Sequence, residues 1–305
     1  MSNQTKAYFF AGITILFWST VATAFKLALS EQSGLQVLTI ASITSTLLLF
    51  FYLLFTNQTG SLIKTTRKEL LYSAFLGLIN PFLYYLLLFK AYNNLPAQVA
   101  QPLNMIWPIV LVLISIPLLG QKITLKSIIA LLISFGGIIL VSSQGAGEEF
   151  RTEQIPYMLL AVSTSVIWAL FWILNMKDKR NESLKLFLNF LFSSIYLLIV
   201  LRVRGEPFPG NPKNILLDVY IGLFEMGLAF LFWLKALQFS KTTDKISNLV
   251  FIFPFISLIF IHYILGEKIH LTTIYGLLLV VTGILLQRFK SKNEKEEYRK
   301  DYTGN

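Results

Sequence analysis

The sequence predicts an all-α integral membrane protein of ten transmembrane helices, arranged as two inverted five-helix repeats. Three observations carry that expectation. Hydrophobic residues make up 55% of the 305 and charged residues 14%, too few for a polar surface on every side. Ten largely uncharged runs of about 16 to 24 residues follow one another, each near the length that crosses roughly 30 Å of hydrocarbon. Finally, one series of residues occurs twice. Lys90-Ala91, Pro108, Gly120-Gln121-Lys122-Ile123, Leu125 and Gly137-Ile138 return as Lys235-Ala236, Pro254, Gly266-Glu267-Lys268-Ile269, Leu271 and Gly283-Ile284.

Taken in order, the runs are 7–29, 35–55, 70–92, 96–119 and 126–142, then 155–176, 185–201, 217–238, 244–265 and 271–288. They are continuous and not alternating, and only helices or closed barrels satisfy their backbone in lipid, so each run reads as a helix. The first run is long enough to span and only Lys6 precedes it, so it reads as a transmembrane helix and not a removable leader. Thr14 and Trp18 on run 1 answer Thr164 and Trp168 on run 6, and Ala11 answers Ala161. Whole halves were therefore copied. The expected divisions are 1–145 for the first repeat, 146–154 for a polar, Gly-bearing linker, 155–289 for the second repeat, and 290–305 for a disordered tail rich in both charges. Five spans per repeat make the second copy enter the membrane from the opposite side. Such inverted repeats are typical of secondary transporters, with substrate sites near the midplane between the copies.

The net charge of +10 fits membrane orientation better than nucleic-acid binding, because most positive residues lie in short loops beside apolar runs. With the N-terminus cytoplasmic, the inner segments carry Lys6; Lys64, Arg67 and Lys68; Lys122 and Lys126; Lys177, Lys179, Arg180 and Lys185; Lys241 and Lys245; and the tail from Arg288. Both termini are expected in the cytoplasm. The chain has no cysteine, which removes disulfides, thiolate metal sites and cysteine nucleophiles. No metal and no cofactor is expected: His262 and His270 lack partners at ligand spacing, and no phosphate-binding loop of the Walker type occurs.

These features resemble the drug/metabolite transporter superfamily, EamA type. The resemblance rests on the duplicated five-helix units, on Lys-Ala near the ends of runs 3 and 8, and on Pro108 and Pro254 in runs 4 and 9, each of which closes on Gly-(Gln/Glu)-Lys. It covers residues 7–289. Glu267 keeps the acid usual in this family, whereas Gln121 departs from it. The resemblance implies a carrier in the cytoplasmic (inner) membrane for small metabolites, often an amino-acid exporter, working by alternating access. Superfamily relatives include nucleotide-sugar and triose-phosphate carriers, so the substrate does not follow from membership.

Polar residues at helical spacing mark the side of a span that faces protein or water. Run 3 gives Ser73, Gly77, Asn80 and Tyr84, and run 8 gives Asp218, Gly222, Glu225 and Ala229 at the repeat offset. Asn80 and Glu225 fall near the centres of their spans. Asn80 either faces the chamber or bonds a neighbouring helix. A carboxyl at the depth of Glu225 faces water, pairs with a cation or stays protonated, and is expected to hold a substrate ammonium or carry a coupling proton. Run 4 aligns Ala97, Gln101, Asn104 and Pro108 beside Trp107, and run 9 offers Ser247, Asn248 and Pro254. Trp18, Trp168 and Trp172 lie deep in their spans, as pocket walls or as core. The expected substrate-binding residues are therefore Trp18, Asn80, Tyr84, Gln101, Asn104, Trp168, Trp172, Glu225 and Asn248.

Lys26, Lys90 and Lys235 sit far enough from their span centres to reach the interface; for Lys26, attraction of an anionic substrate is the competing reading. Small residues Ala130, Gly137, Gly276 and Gly283 assign runs 5 and 10 to scaffold or to homodimer contacts, the protein otherwise being a monomer. The partners implied are a small-molecule substrate and the lipid bilayer. An intramembrane enzyme and a pure scaffold are the rival classes. The first lacks a catalytic constellation, and the second has no use for Glu225. Within transport, the rivals to an amino-acid exporter are an exporter of cationic drugs and an importer.

Overall fold

The computed structural model describes residues 2–95, 100, 103–142, 152–208, 210–265 and 271–288. Ten long helices and one short turn of helix, Gly60–Ile63, occupy them; the long ones are α1 Asn3–Leu29, α2 Gly34–Phe55, α3 Arg67–Asn94, α4 Trp107–Leu119, α5 Leu125–Ser142, α6 Ile155–Lys177, α7 Glu182–Arg204, α8 Pro212–Phe239, α9 Asp244–Ile264 and α10 Leu271–Arg288. Seven are long and apolar enough to cross a membrane, and α4, α5 and α10 are shorter apolar helices. The tail 290–305 and most of the linker lie outside the described residues, apart from a 3-10 turn at Thr152–Gln154. Large apolar side chains such as Leu16, Phe55, Leu159 and Leu278 are exposed on the outside of the bundle, as lipid requires.

Helix starts are encoded locally, and the encoding is duplicated. Ser33 caps α2 with a reciprocal bond from Gln36, and Asn181 caps α7 at the equivalent place. Thr66 caps α3 with Glu69, and Asn211 caps α8, followed by Pro212 at the first helical position. Each cap satisfies amide donors that would otherwise be orphaned at the end of a span. The closing motif of α4 has a similar cause: Gly120 adopts φ 63°, the left-handed cap that glycine takes without a Cβ penalty.

Contacts between the halves obey the same exchange. α5 packs on α10 and α2 on α7; α1 packs on α8 and α9, while α6 packs on α3 and α4. Swapping the two repeats turns this set of pairs into itself, as a two-fold axis between inverted copies demands. Glycines make the tightest approaches. A Cβ on Gly77 of α3 would collide with the Asn189 carbonyl of α7, and one on Gly222 of α8 would lie 2.5 Å from the Ala41 carbonyl of α2. In the α5–α10 pair, a Cβ on Gly137 would lie 2.5 Å from Gly276 O, and one on Gly283 the same distance from Ala130 O. The small residues of α5 and α10 are thus used within the chain.

Polar ties fasten the ends of the bundle. At the end opposite the start of α1, the Ser33 hydroxyl bonds the Glu206 carboxylate, Gln36 donates to Pro207 O (2.8 Å), and Gln32 donates to Asp218 (2.8 Å). At the end where α1 starts, Ser183 donates to Gln58 (2.9 Å) and Arg180 donates to Ser73 (2.9 Å). The equivalent loops are therefore tied at both ends.

A methyl-bearing side chain at a backbone-to-backbone contact has nowhere to go. Gly283→Val is expected to destabilise the detergent-solubilised protein by about 1–3 kcal/mol, the usual cost of overpacking, read as a lowered midpoint in thermal unfolding. Gly136→Ala, one residue from Gly137 in open space, is the control expected to unfold like the parent.

Candidate functional site

Both α3 and α8 change their winding at mid-length. Leu78–Leu83 and Gly222–Gly227 are π-helical, at matching places in the two repeats, and they carry Asn80 and Glu225. Such turns widen a helix by one residue and are frequent at functional sites. In α3 the cause includes Pro81, which has no amide hydrogen, and Asn80 leaves the helical region at φ −151°, ψ 127°. In α8 the turn begins at Gly222, whose carbonyl accepts from Ser45 Oγ of α2 at 2.7 Å.

Breaks of a second kind occur in the fourth helix of each repeat. Pro108 stands in the first turn of α4, and Pro254 follows the 3-10 turn Asn248–Ile252 inside α9. Pro108 cannot donate to the Asn104 carbonyl four residues back. Ser165 Oγ of α6 bonds it instead at 2.9 Å, and Leu103 O at 3.2 Å.

Between these breaks lies a cavity of about 50 Å³ walled by Trp18, Val21, Phe25, Tyr84, Leu88, Tyr92, Asn104, Met105, Trp107, Trp168, Glu225 and Phe253. At about 10–15 Å³ per water this holds a few solvent molecules, so a metabolite enters only as the walls part. Glu225 Oε1 accepts from Tyr85 OH at 2.8 Å, and the Glu225 carbonyl accepts from Trp18 Nε1 at 3.4 Å. Tyr84 OH donates to Asn104 Oδ1 (3.3 Å), and Asn104 Nδ2 donates to Thr164 Oγ1 (2.9 Å). All five tryptophans of the chain join one cluster: Trp18 lies 5.9 Å from Trp107, 5.9 Å from Trp168 and 5.4 Å from Trp233, and Trp168 lies 5.7 Å from Trp172. Tyr84 is 4.5 Å from Trp168. The result is an aromatic box with one carboxylate and no lysine, arginine or histidine in its described wall. Aromatic faces and a carboxylate together attract organic ammonium groups.

Of the nine expected residues, the structure brings Trp18, Tyr84, Asn104, Trp168 and Glu225 to the cavity wall. Gln101 lies outside the described residues. Trp172 is buried one layer behind, against Trp168 and Phe230. Asn80 and Asn248 are fully buried and not in the wall. Lys26 and Lys90 are exposed, and Lys235 reaches Tyr52 OH at 3.3 Å with its ammonium over the Phe10 ring. Sequence reasoning missed Phe25, Leu88 and Tyr92, although each follows Trp18 or Tyr84 at helical spacing. Tyr85 offered no such signal, because its bond to Glu225 depends on the winding of α8.

A buried charged knot forms where α6 passes to α7. Arg180 bonds Asp178 (2.6 Å), Ser73 (2.9 Å) and Glu69 O (3.2 Å), and the buried Lys185 ammonium donates to Asn175 O and Asp178 O, each at 2.7 Å. Burial pushes the Asp178 carboxyl up, but hydrogen bonds and charge from Arg180, helped by Lys185, outweigh it and hold the group below its ordinary value.

An all-α bundle of inverted repeats with an aromatic chamber, holding one acidic side chain, between broken helices is the architecture of a multi-pass membrane transporter. The sequence profile of the EamA-like transporter family matches residues 5–143 and again 155–288. The chain belongs to that family and is a transporter. It is 28% identical over 72% of each chain to the uncharacterized transporter YvbV of Bacillus subtilis, and 24% identical over 95% of this chain and 96% of the other to an uncharacterized transporter of Clostridium kluyveri. It is also 24% identical, over 52% of this chain and 55% of the other, to the aromatic amino acid exporter YddG of Ancylobacter novellus. A crystal structure of a protein 17% identical superposes with a TM-score of 0.80 over 93% of this chain and 96% of that one, a likeness of fold.

A carboxylate whose folded pKa is depressed contributes stability above its unfolded pKa, lost as pH falls through the folded value. Thermal stability is therefore expected to be level near neutral pH and to drop as the pH falls below the ordinary aspartate value of about 4. Asp178→Asn should remove that acid-side component and cost about 1.5–3 kcal/mol, the range for hydrogen bonds to a charged group. Unfolding midpoints of parent and variant across pH check both statements.

Proposed function

We propose that the protein is a gradient-driven secondary transporter that exports small amphipathic amines, amino acids first among them, across the cytoplasmic membrane by alternating access. The observation that carries this reading is Glu225, the one carboxylate in the described wall of a chamber otherwise lined by uncharged, mostly aromatic and apolar side chains. Its carboxylate would hold a substrate ammonium, or carry the coupling proton in its place, while Trp18, Trp168 and Tyr84 take the apolar part. The match to a relative named as an aromatic amino acid exporter supports an aromatic substrate. The face where α1 starts carries the loop lysines and arginines, which supports a cytoplasmic position for it and for both termini. The protein acts as a monomer or a homodimer.

One observation favours a second reading, an exporter of organic cations: the described wall has no basic side chain to meet a substrate carboxylate.

Counterflow in proteoliposomes, with and without a pH gradient, separates the two. Labelled L-tryptophan, tryptamine and a lipophilic phosphonium serve as probes. Exchange of tryptophan is the expected outcome; exchange of tryptamine and phosphonium alone establishes the second reading, and exchange of none defeats both. Glu225→Gln is expected to weaken apparent tryptophan affinity by about tenfold, equivalent to about 1.4 kcal/mol, or to abolish the response to pH. A variant unchanged in both respects removes Glu225 from the mechanism.

A further inference from the structure

The cavity and its image under exchange of the repeats are built alike and filled differently. Its walls from α1, α3 and α4 have partners on α6, α8 and α9. Val21 and Phe25 correspond to Phe171 and Asn175, Leu88 and Tyr92 to Trp233 and Leu237, and Asn104 to Val250. Glu225 corresponds to Asn80. In the first set there is open space; in the second, Phe171, Asn175, Trp233, Leu237, Val250 and Asn80 are each no more than 1% exposed. The open half lies towards the ends of α1 and α3, and its image lies towards the face where α1 starts.

The packed half has polar groups that packing alone does not satisfy. Both amide atoms of Asn80, the Trp233 Nε1 and the Trp172 Nε1 are buried with no hydrogen-bond partner. Leaving such groups buried and unpaired is unfavourable. They are the groups that would meet water or a solute if this half opened.

A polar latch closes the same half. The turn Ser240–Asp244 joins α8 to α9. Gln121 Oε1, at the end of α4, accepts from both the amide and the hydroxyl of Thr243, each at 3.0 Å, and the Thr243 hydroxyl also reaches Ser115 at 3.1 Å. Ser127 of α5 donates to Asp244 at 2.7 Å. From the start of α1, Gln4 accepts from the Lys241 amide at 3.1 Å and donates to Ser240 at 3.3 Å. The turn is thus bound to the first, fourth and fifth helices, and it begins three residues after Leu237 of the packed half.

We propose that this packed half is a second binding chamber for the transported solute, entered from the face where α1 starts, and that the Ser240–Asp244 turn is its gate with Gln121 as the latch. The chamber takes a neutral or zwitterionic solute by hydrogen bonds: Asn80 offers a donor and an acceptor where the open half has a carboxylate, and the indole N–H groups of Trp172 and Trp233 offer donors to a carboxylate or carbonyl. Gln121 suits the latch because a neutral amide oxygen accepts from Thr243 without placing a second negative charge near Asp244. The proposal rests on the reading of the protein as an alternating-access carrier, and it is tested without any transport assay.

The absence of cysteine from the sequence makes thiol accessibility a clean readout. Leu237→Cys reports on the packed half and Leu88→Cys on the open half, each in membrane vesicles of both orientations treated with a membrane-impermeant thiosulfonate. With the latch intact, Leu88→Cys should react from one side only and Leu237→Cys from neither. Adding Gln121→Ala and Thr243→Val should speed reaction at Leu237→Cys by about tenfold or more, the shift expected when a closed state loses its bias, and only from the side that does not reach Leu88→Cys. Ser127→Ala, a milder cut, should give a smaller rise on the same side and covers a failure of the double variant to fold. An unchanged rate at Leu237→Cys in every latch variant that folds, or labelling from the Leu88→Cys side, overturns the proposal. Failure of counterflow with these vesicles, beside the expected labelling, would instead count against the substrates named above.

Discussion

The structure depends on two places where helix backbones touch. Gly77 lets α3 meet the Asn189 carbonyl of α7, and Gly222 lets α8 meet the Ala41 carbonyl of α2. In lipid there is no hydrophobic force between helices, so close packing and polar contacts must hold them. These contacts anchor α3 and α8 to the α2–α7 pair at the point where each helix loses its regular winding. The π turns at Leu78–Leu83 and Gly222–Gly227 therefore begin from fixed points. Asn80 and Glu225 owe their depth to that anchoring, and Asn80 owes its direction also to Pro81 beside it.

Two-fold exchange extends from backbone to side-chain ties, and it breaks where chemistry differs. Ser33 with Glu206 at one end answers Ser183 with Gln58 at the other, and Gln32 with Asp218 answers Arg180 with Ser73. Ties present at both ends at once cannot be alternate gates; they belong to a frame. The elements outside those four ties are α1, α4, α6, α9 and the later halves of α3 and α8, which wall the cavity and its image, and of these α6 is held at its end to α7 by Lys185 and Asn189. At the centre the symmetry is chemical no longer. Glu225 has the Tyr85 hydroxyl as donor, whereas the place of Tyr85 in the other half is taken by Phe230, which has none, and Asn80 stands uncharged.

Much of the fold was legible because lipid imposes a simple rule: a span is a long uncharged run, and runs 1, 2, 6 and 7 agree with their helices to within a few residues. The duplication was legible in Lys-Ala, Pro and Gly at constant spacing. What the sequence did not expose was the winding. A period of 3.6 places Ser73, Gly77, Asn80 and Tyr84 on one stripe, but the π turn inserts a residue and rotates the rest of the helix, so Gly77 faces α7, Tyr84 faces the cavity and Asn80 lies in neither place. Tyr85 became a partner of Glu225 for the same reason. Trp233 was hidden in an apolar stretch of α8, and only the fold shows that all five indoles share one cluster.

The departure at Gln121 has a physical cause in its surroundings. Its mate, Glu267, lies outside the described residues. In the first repeat the side chain sits just past the left-handed cap at Gly120, where α4 ends and the chain turns towards α5. A carboxylate in this position would accept from Thr243 equally well, but Asp244 comes immediately after, with one oxygen bonded to Ser127. Two carboxylates gathered on one turn would repel each other. A neutral amide keeps the acceptor and removes the repulsion. The amide thus favours a firm closure at the end of the bundle where α1 starts.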